Sequence, residues 1–331
     1  MRTLVAFDSF KGTIPSVQAC QLAVGVLKGE VDPCPLSDGG EGLLEVVADR
    51  RLKIRTRDPL GRLQSSAVGF LGATGLIEVA QIVGLPEAVA RGKLDPVRAS
   101  TAGLASAIRF MEASGVESLV VGCGGSATTD GGVGLVAELI RRGYEQLPIP
   151  TVVLFDVSTS FVGAAAEFGP QKGAKPGEVV LLGRRLEALS LWYRRRFGVE
   201  VAELRGAGAA GGLAGALAAM GAKLVPGLEW VSSVVELERR VAEADRVVTG
   251  EGRLDAGSFS GKVVGEVLKL AERFQKPSVV VAGSADPNGC GSAERLGARV
   301  ISMEQEYGLE ACMSAPEATL VSTLGLVAKL A

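Results

Sequence analysis

The sequence predicts an α/β protein of two domains, in which a doubly wound parallel-sheet domain carries a second, mixed α/β domain inserted into it. Three observations support this fold class. Short apolar runs alternate with helical patterns near both ends of the chain, which is typical of a parallel sheet with right-handed crossovers. The middle of the chain has the pattern of an antiparallel hairpin. The length of 331 residues also fits two domains of moderate size.

Nine strands are predicted in chain order. The first, Thr3–Phe7, precedes a segment with apolar residues at helical spacing, and the last three alternate with helices in a pattern of the flavodoxin or Rossmann kind. The predicted strands are Thr3–Phe7, a segment ending near Leu36, Leu63–Phe70, Leu76–Ala80, Ser118–Cys123, Thr151–Phe155, Arg246–Thr249, Ser278–Ala282 and Ala298–Met303.

The domain boundaries follow from two features. The Asp58-Pro-Leu-Gly61 stretch has proline and glycine where a type I turn requires them, and the clearest strand–helix alternation begins near Glu243. We therefore expect one discontinuous domain of residues 1–57 and 245–331, with residues 58–244 forming the inserted domain.

The composition excludes several classes of protein. Hydrophobic residues make up 47% of the chain, and a net charge of −2 without blocks of like charge argues against nucleic acid or an anionic membrane as the main partner. The five cysteines are scattered and no signal peptide is visible, so we expect a reduced, cytoplasmic protein. The uncharged run 206–222 is expected to be a buried, glycine-led helix rather than a membrane span.

The chain contains no histidine. This absence excludes a Ser-His-Asp or Cys-His catalytic site and a histidine-ligated metal. A general base must therefore be a carboxylate, a lysine or a tyrosine, and a metal must be a hard, oxygen-ligated ion such as Mg²⁺.

Four glycine loops that carry acids follow predicted strands. They are DSFKG, SDGGEG, GGSATTDGG and TGEGRLD. Glycines let the backbone approach a ligand and turn N–H groups toward phosphate oxygens, and nearby carboxylates can hold Mg²⁺. The alternative is a set of ordinary structural turns, but four such loops in one chain favour phosphoryl transfer. No P-loop and no dinucleotide-binding glycine motif accompanies them.

Candidate ligand-binding residues lie in or beside these loops. Several basic residues adjoin glycines, where an anion could approach, although each could equally be solvated. Glu78 lies in an apolar run, so either a ligand or partner contact or a simple exposed face would explain it. The predicted substrate- and phosphate-binding residues are Ser9, Lys11, Arg62, Glu78, Ser126, Lys172, Arg253 and Lys262. The predicted nucleotide-binding glycines are Gly39, Gly40, Gly124, Gly125, Gly250 and Gly252, and the predicted metal ligands are Glu251 and Asp255.

Eight motifs in one order resemble those of the glycerate kinases of the bacterial type that lacks a Walker motif. They are DSFKGT, DGGEG (38–42), DPLGR (58–62), IEVA (77–80), GGSATTDGG (124–132), FGPQKGA (168–174), GAGAAGGL (206–213) and TGEGRLD followed by GK (249–262). The resemblance implies phosphorylation of D-glycerate by ATP with Mg²⁺, 2-phosphoglycerate as the favoured product, and a site in a cleft between two domains.

Some positions depart from the family pattern. They are Thr129, Thr159, Ser160, Ala105, Ser106, Gly257 and a short 134–156 segment. These departures bear on the identity of the phosphate acceptor more than on the phosphoryl transfer itself. Two alternatives therefore remain: a kinase for another small hydroxy acid, and a non-catalytic sensor of glycerate or nucleotide.

The catalytic base is expected to be a carboxylate. Histidine is absent, and phosphate charge would keep a lysine protonated. Asp130 follows a buried strand in the longest glycine loop, and Asp38 in SDGGEG is the rival. Alternatively, Asp130 only caps the following helix. The predicted catalytic set is Asp130, Asp38, Lys11 and Lys262, with Lys11 and Lys262 neutralising phosphate charge.

Overall fold

The structure is a computed structural model that describes residues 1–10, 12–90, 92 and 94–330. Its strands are β1 (Arg2–Phe7), β2 (Glu30–Pro33), β3 (Arg50–Arg57), β4 (Leu63–Leu71), β5 (Thr74–Glu78), β6 (Ser118–Gly122), β7 (Thr151–Phe155), β8 (Lys223–Pro226), β9 (Arg246–Leu254), β10 (Ser278–Ala285) and β11 (Ala298–Ser302).

The helices contribute to both halves of the chain. They are α1 (Ser16–Val26), α2 (Leu43–Val47), α3 (Ala80–Val83), α4 (Leu85–Ala90), α5 (Leu104–Ala113), α6 (Val133–Ile140), α7 (Ala164–Phe168), α8 (Pro176–Phe197), α9 (Leu213–Ala219), α10 (Gly227–Val234), α11 (Leu237–Glu243), α12 (Val263–Arg273), α13 (Pro287–Arg295), α14 (Met303–Tyr307), α15 (Leu309–Ser314) and α16 (Pro316–Val327). None of the helices among the described residues is long and apolar enough to cross a membrane.

Five strands form an all-parallel sheet in the order β11-β10-β9-β1-β2. Numbered by their sequence within this sheet, the strands follow the flavodoxin-like order 2-1-3-4-5, so the direction of winding reverses between β1 and β9. This arrangement confirms the predicted doubly wound domain.

The parallel sheet is buried on both faces, because apolar side chains of its strands point alternately to one face and to the other. Val279 and Val281 on β10 pack into one apolar cluster with residues of α1 and α16, whereas Val280 and Ala282 pack into the opposite cluster with residues of α12. Successive side chains of a strand point to opposite faces, so a continuous run of apolar residues packs against the helices on both sides of the sheet.

A second sheet of six strands has the order β3-β4-β5-β6-β7-β8. The pairs β3–β4 and β4–β5 are antiparallel, and the other three pairs are parallel. The predicted hairpin is therefore confirmed as β4–β5, and the sheet has the mixed character expected of the inserted region.

The chain divides into two compact units. The first comprises residues 1–38 and 228–331 and contains the parallel sheet, and the second comprises residues 39–227 and contains the mixed sheet. The expected boundaries, 57/58 and 244/245, differ from these. The reason for the first difference is that all eight residues of β3 pair with β4, which assigns residues 50–57 to the mixed sheet.

Two local predictions are corrected. The predicted strand Arg246–Thr249 continues to Leu254, because Arg253 and Leu254 still pair with β10, so most of TGEGRLD is strand rather than loop. The predicted helix over 206–222 is buried as expected, but only α9 is α-helical. The segment before it turns through Ala210 and Gly211 at positive φ.

Candidate active site

A cavity of about 320 Å³ lies within the first unit, at the carboxyl ends of the parallel strands. All five strands of the sheet contribute residues at or just beyond their ends. Ligands of open parallel sheets bind at this edge, beside the point where the winding reverses. The cavity is lined by Asp8, Ser9, Phe10, Thr13, Asp38, Glu251, Gly252, Arg253, Asp255, Lys262, Gly283, Ser284, Met303, Glu304, Leu309, Cys312, Met313 and Pro316.

The loop after β1 is held by its aromatic residue. Phe10 is 2% exposed and packs edge-on against Phe7, with ring centroids 5.7 Å apart. The Phe10 amide donates a hydrogen bond to the Ile14 carbonyl, and the Thr13 hydroxyl donates to the Phe10 carbonyl. The phenylalanine of DSFKGT thus anchors the loop in the core, while Asp8, Ser9 and Thr13 line the cavity.

The carboxyl end of β9 brings charged residues to the cavity. Arg253 Nε lies 3.7 Å from Asp255 Oδ2, and the other oxygen of Asp255 accepts a hydrogen bond from the Gly257 amide at 2.8 Å. The Asp255 amide in turn donates a hydrogen bond to the Ser258 hydroxyl, which closes a capping box. This reciprocal bonding fixes the Asp255 carboxylate where the strand enters the following turn.

Lys262 immediately precedes α12 and is exposed while lining the cavity. The start of a helix carries unpaired N–H groups and the positive end of the helix dipole. The Lys262 charge adds to that field, which favours an anion at this end of the cavity.

The carboxylates of the cavity suit a hard metal ion bound together with phosphate. Asp8, Asp38, Glu251 and Asp255 all line it, but no group of three or more metal-binding side chains occurs among the described residues. Mg²⁺ in phosphoryl-transfer sites usually takes one or two carboxylates and completes its shell with water and phosphate oxygens. The donor set therefore fits Mg²⁺ and does not fit a metal that needs a complete protein cage.

In the second unit, Asp130 is 4% exposed and surrounded by donors. Its Oδ2 accepts hydrogen bonds from the Thr101 amide at 2.8 Å, the Thr101 hydroxyl at 2.9 Å and the Gly134 amide at 3.2 Å. Its Oδ1 accepts from the Gly132 amide at 3.0 Å. Two of these four donors belong to Thr101 and two are amides at the start of α6, whose N-cap residue is Gly132.

Lys172 is buried in the same unit. Its Nζ donates a hydrogen bond to the Thr128 carbonyl at 2.6 Å and lies 5.9 Å from the centre of the Phe168 ring. Burial lowers the pKa of this ammonium to about 8, while the negative charge of Asp130 acts in the opposite direction. The amine therefore supports the GGSATTDGG loop from within the protein.

Some of the predicted nucleotide-binding glycines have close backbone neighbours. A Cβ at Gly124 would lie 2.7 Å from the Gly40 Cα, so the two loops touch backbone to backbone within the second unit. A Cβ at Gly250 would overlap the Val281 carbonyl of the neighbouring strand. Both positions require glycine for packing alone.

Three further predicted residues also have structural contacts in the second unit. Glu78 is 1% exposed, and its carboxylate accepts from the Leu44 amide at 3.2 Å and from the Gln81 side chain at 3.2 Å. Burial raises the pKa of Glu78, and these hydrogen bonds oppose the rise. A simple exposed face is thus ruled out for Glu78.

Ser126 is buried, and its hydroxyl lies 2.8 Å from that of Thr128. Arg62 is exposed, and its amide closes the Asp58 turn through a 2.9 Å hydrogen bond to Asp58 Oδ1.

Comparison with known proteins identifies the family. The chain matches the glycerate kinase family over residues 3–147 and 140–331. It is 33% identical to a glycerate kinase of Halalkalibacterium halodurans, with 92% of this chain and 93% of the relative covered. The chain belongs to the glycerate kinase family.

Further similarities agree with this membership. A glycerate 2-kinase of Escherichia coli is 33% identical over 86% of the chain and 85% of its own length. A crystal structure described as glycerate kinase 2 from Salmonella typhimurium LT2 has a TM-score of 0.78 and 30% identity, and covers 100% of this chain and 98% of that one. The protein is therefore a kinase of the glycerate kinase family, with the α/β fold seen in that structure.

For this member of the glycerate kinase family, the structure assembles part of the predicted site in one cavity. The predicted residues that line it are Ser9, Asp38, Glu251, Gly252, Arg253, Asp255 and Lys262. Lys11 lies outside the described residues, and Asp130, Arg62, Glu78, Ser126 and Lys172 lie in the second unit.

Sequence reasoning missed most of one wall of the cavity. Glu304 and the apolar residues Met303, Leu309 and Met313 were not among the candidates. Their only signal was the helical spacing of Leu309 and Met313, which equally describes a face buried in the core.

Proposed function

We propose that the protein transfers phosphate from ATP, with Mg²⁺, to D-glycerate and forms 2-phosphoglycerate. Membership in the glycerate kinase family supports glycerate as the acceptor. The similarity to a glycerate 2-kinase supports the 2-hydroxyl as the attacking group. The observation that carries the proposal is the cavity at the winding reversal of the parallel sheet, because it joins exposed cations, several carboxylates and a helix start in one place.

The positive groups of the cavity have a role in phosphoryl transfer. Lys262 and Arg253 both line the cavity and can neutralise the charge of the transferred phosphate. Phosphoryl transfer depends on positioning and on stabilising the charge of the equatorial oxygens, so such cations act mainly on turnover. Ser9 can donate its hydroxyl to a phosphate oxygen from the loop after β1.

Glu251 and Asp255 would hold Mg²⁺. When bound with ATP, the ion would neutralise phosphate charge and orient the phosphate chain. The capping box around Asp255 keeps its carboxylate oriented before any ligand arrives.

The base is a carboxylate that can face a hydroxyl group. Asp38 is half-buried and lines the cavity together with Lys262 and Arg253, whereas Asp130 is 4% exposed and lies in the second unit. We therefore favour Asp38 as the group that orients the glycerate hydroxyl and takes its proton, and Asp130 stays the competing prediction.

The substrate roles predicted for residues of the second unit stay proposals. Lys172 and Arg62 are candidates for binding the glycerate carboxylate or for closing the cleft, and Ser126 and Glu78 are candidates for substrate or phosphate binding. Their internal hydrogen bonds mean that each variant must be tested for stability before any loss of activity is assigned to binding.

The test is ADP release by the purified protein with ATP and Mg²⁺. D-glycerate is compared with L-glycerate, glycolate and lactate, and we expect D-glycerate to give the highest kcat/KM. Activity should disappear in excess EDTA and return with Mg²⁺. An enolase-coupled assay without a phosphoglycerate mutase detects 2-phosphoglycerate but not the 3-phosphate. No ADP release with any acceptor, or release undiminished by EDTA, would refute the proposal.

A further inference from the structure

The cavity of the first unit has two chemically different ends. Its charged residues, apart from Glu304, lie on β9 or directly after it, in the loops after β1 and β2, and directly before α12. The other, mainly apolar end is formed by Met303 and by residues of α15 and α16. Phe10, in the loop after β1, is the apolar side chain of the lining that lies outside this end.

The two ends adjoin. Met303 and Cys312 share an apolar cluster with Phe7 and Phe10, which lie at the end of β1 and in the loop after it. A ligand that used both ends would carry an apolar group next to charged groups.

The apolar end is built by a helix whose side chains face the cavity. Leu309, Cys312 and Met313 have the spacing i, i+3 and i+4, so they share one face of α15, and all three line the cavity. Cys312 also joins the core, but Leu309 is 59% exposed and Met313 is 63% exposed. Most of this apolar face is therefore turned toward a space that water occupies in the absence of a ligand.

We propose that this wall, defined as Met303, Leu309, Cys312 and Met313, binds the base of the phosphate-donor nucleotide. The inference rests on the proposed function, because it takes a nucleoside triphosphate as the donor. Of the two substrates, only the nucleotide has a flat apolar group, since every carbon of glycerate carries an oxygen. The base then lies at the β11 end, and the phosphates extend toward Lys262 and the carboxylates near β9 and β1.

The side chains of the wall suit this role. Methionine is unbranched and polarisable and makes favourable contacts with aromatic rings. Met303 is 2% exposed and provides a fixed floor, whereas Leu309 and Met313 can cover an arriving base. The Glu304 carboxylate at the same end can accept a hydrogen bond from an amino group of the base.

The binding test compares ADP with inorganic tripolyphosphate, which carries phosphates without base or sugar. Leu309→Ala and Met313→Ala remove exposed side chains, so both variants should fold. Each variant should bind Mg-ADP roughly three- to tenfold more weakly by calorimetry, because it loses part of the apolar contact. Tripolyphosphate affinity and the KM for glycerate should not change. Val24→Ala, an exposed apolar residue of the same unit outside the cavity lining, is the matched control.

A second measurement locates the base directly. The chain has five methionines, which can be labelled with ¹³C at the methyl group for NMR. ADP should shift the signals of Met303 and Met313, whereas tripolyphosphate should leave them in place. Met111 and Met220, buried in the second unit, provide internal references.

The outcomes separate the two proposals. Normal ADP affinity in both variants, with no shift at Met303 or Met313, refutes the base-binding wall and leaves the proposed kinase function intact. Equal weakening of ADP and tripolyphosphate would assign α15 a structural role and also refute it. If the unaltered protein binds neither ligand, then both the wall and the ATP-dependent function are wrong. Weaker binding of glycerate alone would assign the wall to the acceptor.

Discussion

The glycine-and-acid loops of the two units have the same kind of sequence but different surroundings. In the first unit, the acids after β1 and β2 and at the end of β9 line a cavity. In the second unit, the glycines at 40 and 124 pack against each other, and the Asp130 carboxylate is occupied by backbone and hydroxyl donors.

A loop rich in glycine and acid can therefore have either of two physical origins. In the first case the backbone and the carboxylates contact a ligand. In the second case two chain segments pack closely, and the acid accepts hydrogen bonds from the start of a helix. The two origins predict different responses to substitution, because the first affects turnover and the second affects the free energy of unfolding.

The largest effect is expected from Asp38→Asn. Asparagine keeps the size of the side chain but cannot accept the hydroxyl proton, so kcat should fall roughly 10²-fold or more. The matched control is Asp286→Asn, since Asp286 caps α13 in the same unit without lining the cavity. Steady-state kinetics of both variants decides the question, and an Asp38→Asn enzyme with half of the normal kcat would exclude Asp38 as the base.

Asp130→Asn should mainly affect stability. The amide nitrogen would face donors that now point at a carboxylate oxygen, so the free energy of unfolding should fall by about 1–3 kcal/mol in urea titrations. We expect kcat per folded molecule to stay within about threefold of the normal value. A loss of about 10²-fold in kcat with unchanged stability would instead make Asp130 the base and contradict our preference for Asp38.

Lys172 should produce a pH-dependent difference in stability. Its pKa is about 8 in the folded protein and near 10.4 when unfolded, so the unfolded chain binds more protons between these values. The free energy of unfolding should therefore rise with pH in this window relative to Lys172→Met, by about 1–2 kcal/mol from pH 7.5 to 9.5. Urea unfolding of both proteins at the two pH values measures the difference, and a constant difference would place the Lys172 pKa outside the window.

The smallest effect is expected from Lys262→Ala, which removes one of several positive groups at the phosphate end of the cavity. We expect kcat to fall about tenfold with little change in stability, because the side chain is exposed. Lys269→Ala is the control, since Lys269 is exposed on the same helix and pairs with Glu266. Equal kcat values for the two variants would remove Lys262 from the site.

Much of the fold could be predicted because its strands carry strong local signals. The strand Thr151–Phe155 was predicted with its observed bounds, and the prediction of the first strand omitted only Arg2. The end of β9 could not be predicted, because glycine and charge in TGEGRL are typical of a loop. The pairing of Arg253 and Leu254 with Ser284 and Ala285 on β10 shows that the strand continues.

The site was predicted in its polar half and missed in its apolar half. Polar residues after a strand point to the ligand-binding edge of a parallel sheet, and this rule identified Ser9, Asp38 and Asp255. Leu309 and Met313 gave no such signal, because helical spacing states which residues share a face but not what that face meets. Asp130 was predicted as a site residue from its place after a strand. The sequence does not reveal that Thr101, in a distant segment, donates two hydrogen bonds to its carboxylate.

The origin of the parallel sheet in two distant segments has a consequence for synthesis on the ribosome. Thr3 of β1 pairs with Arg246 of β9, so β1 lacks this neighbour until 243 further residues have been made. At about 5–20 residues per second this delay lasts roughly ten to fifty seconds. During that time residues 39–227, which form the second unit from one continuous segment, can fold. Val5 and Phe7 meanwhile have only α1 and β2 of their own unit as partners, so we expect chaperones that hold apolar segments to bind β1 until β9 emerges.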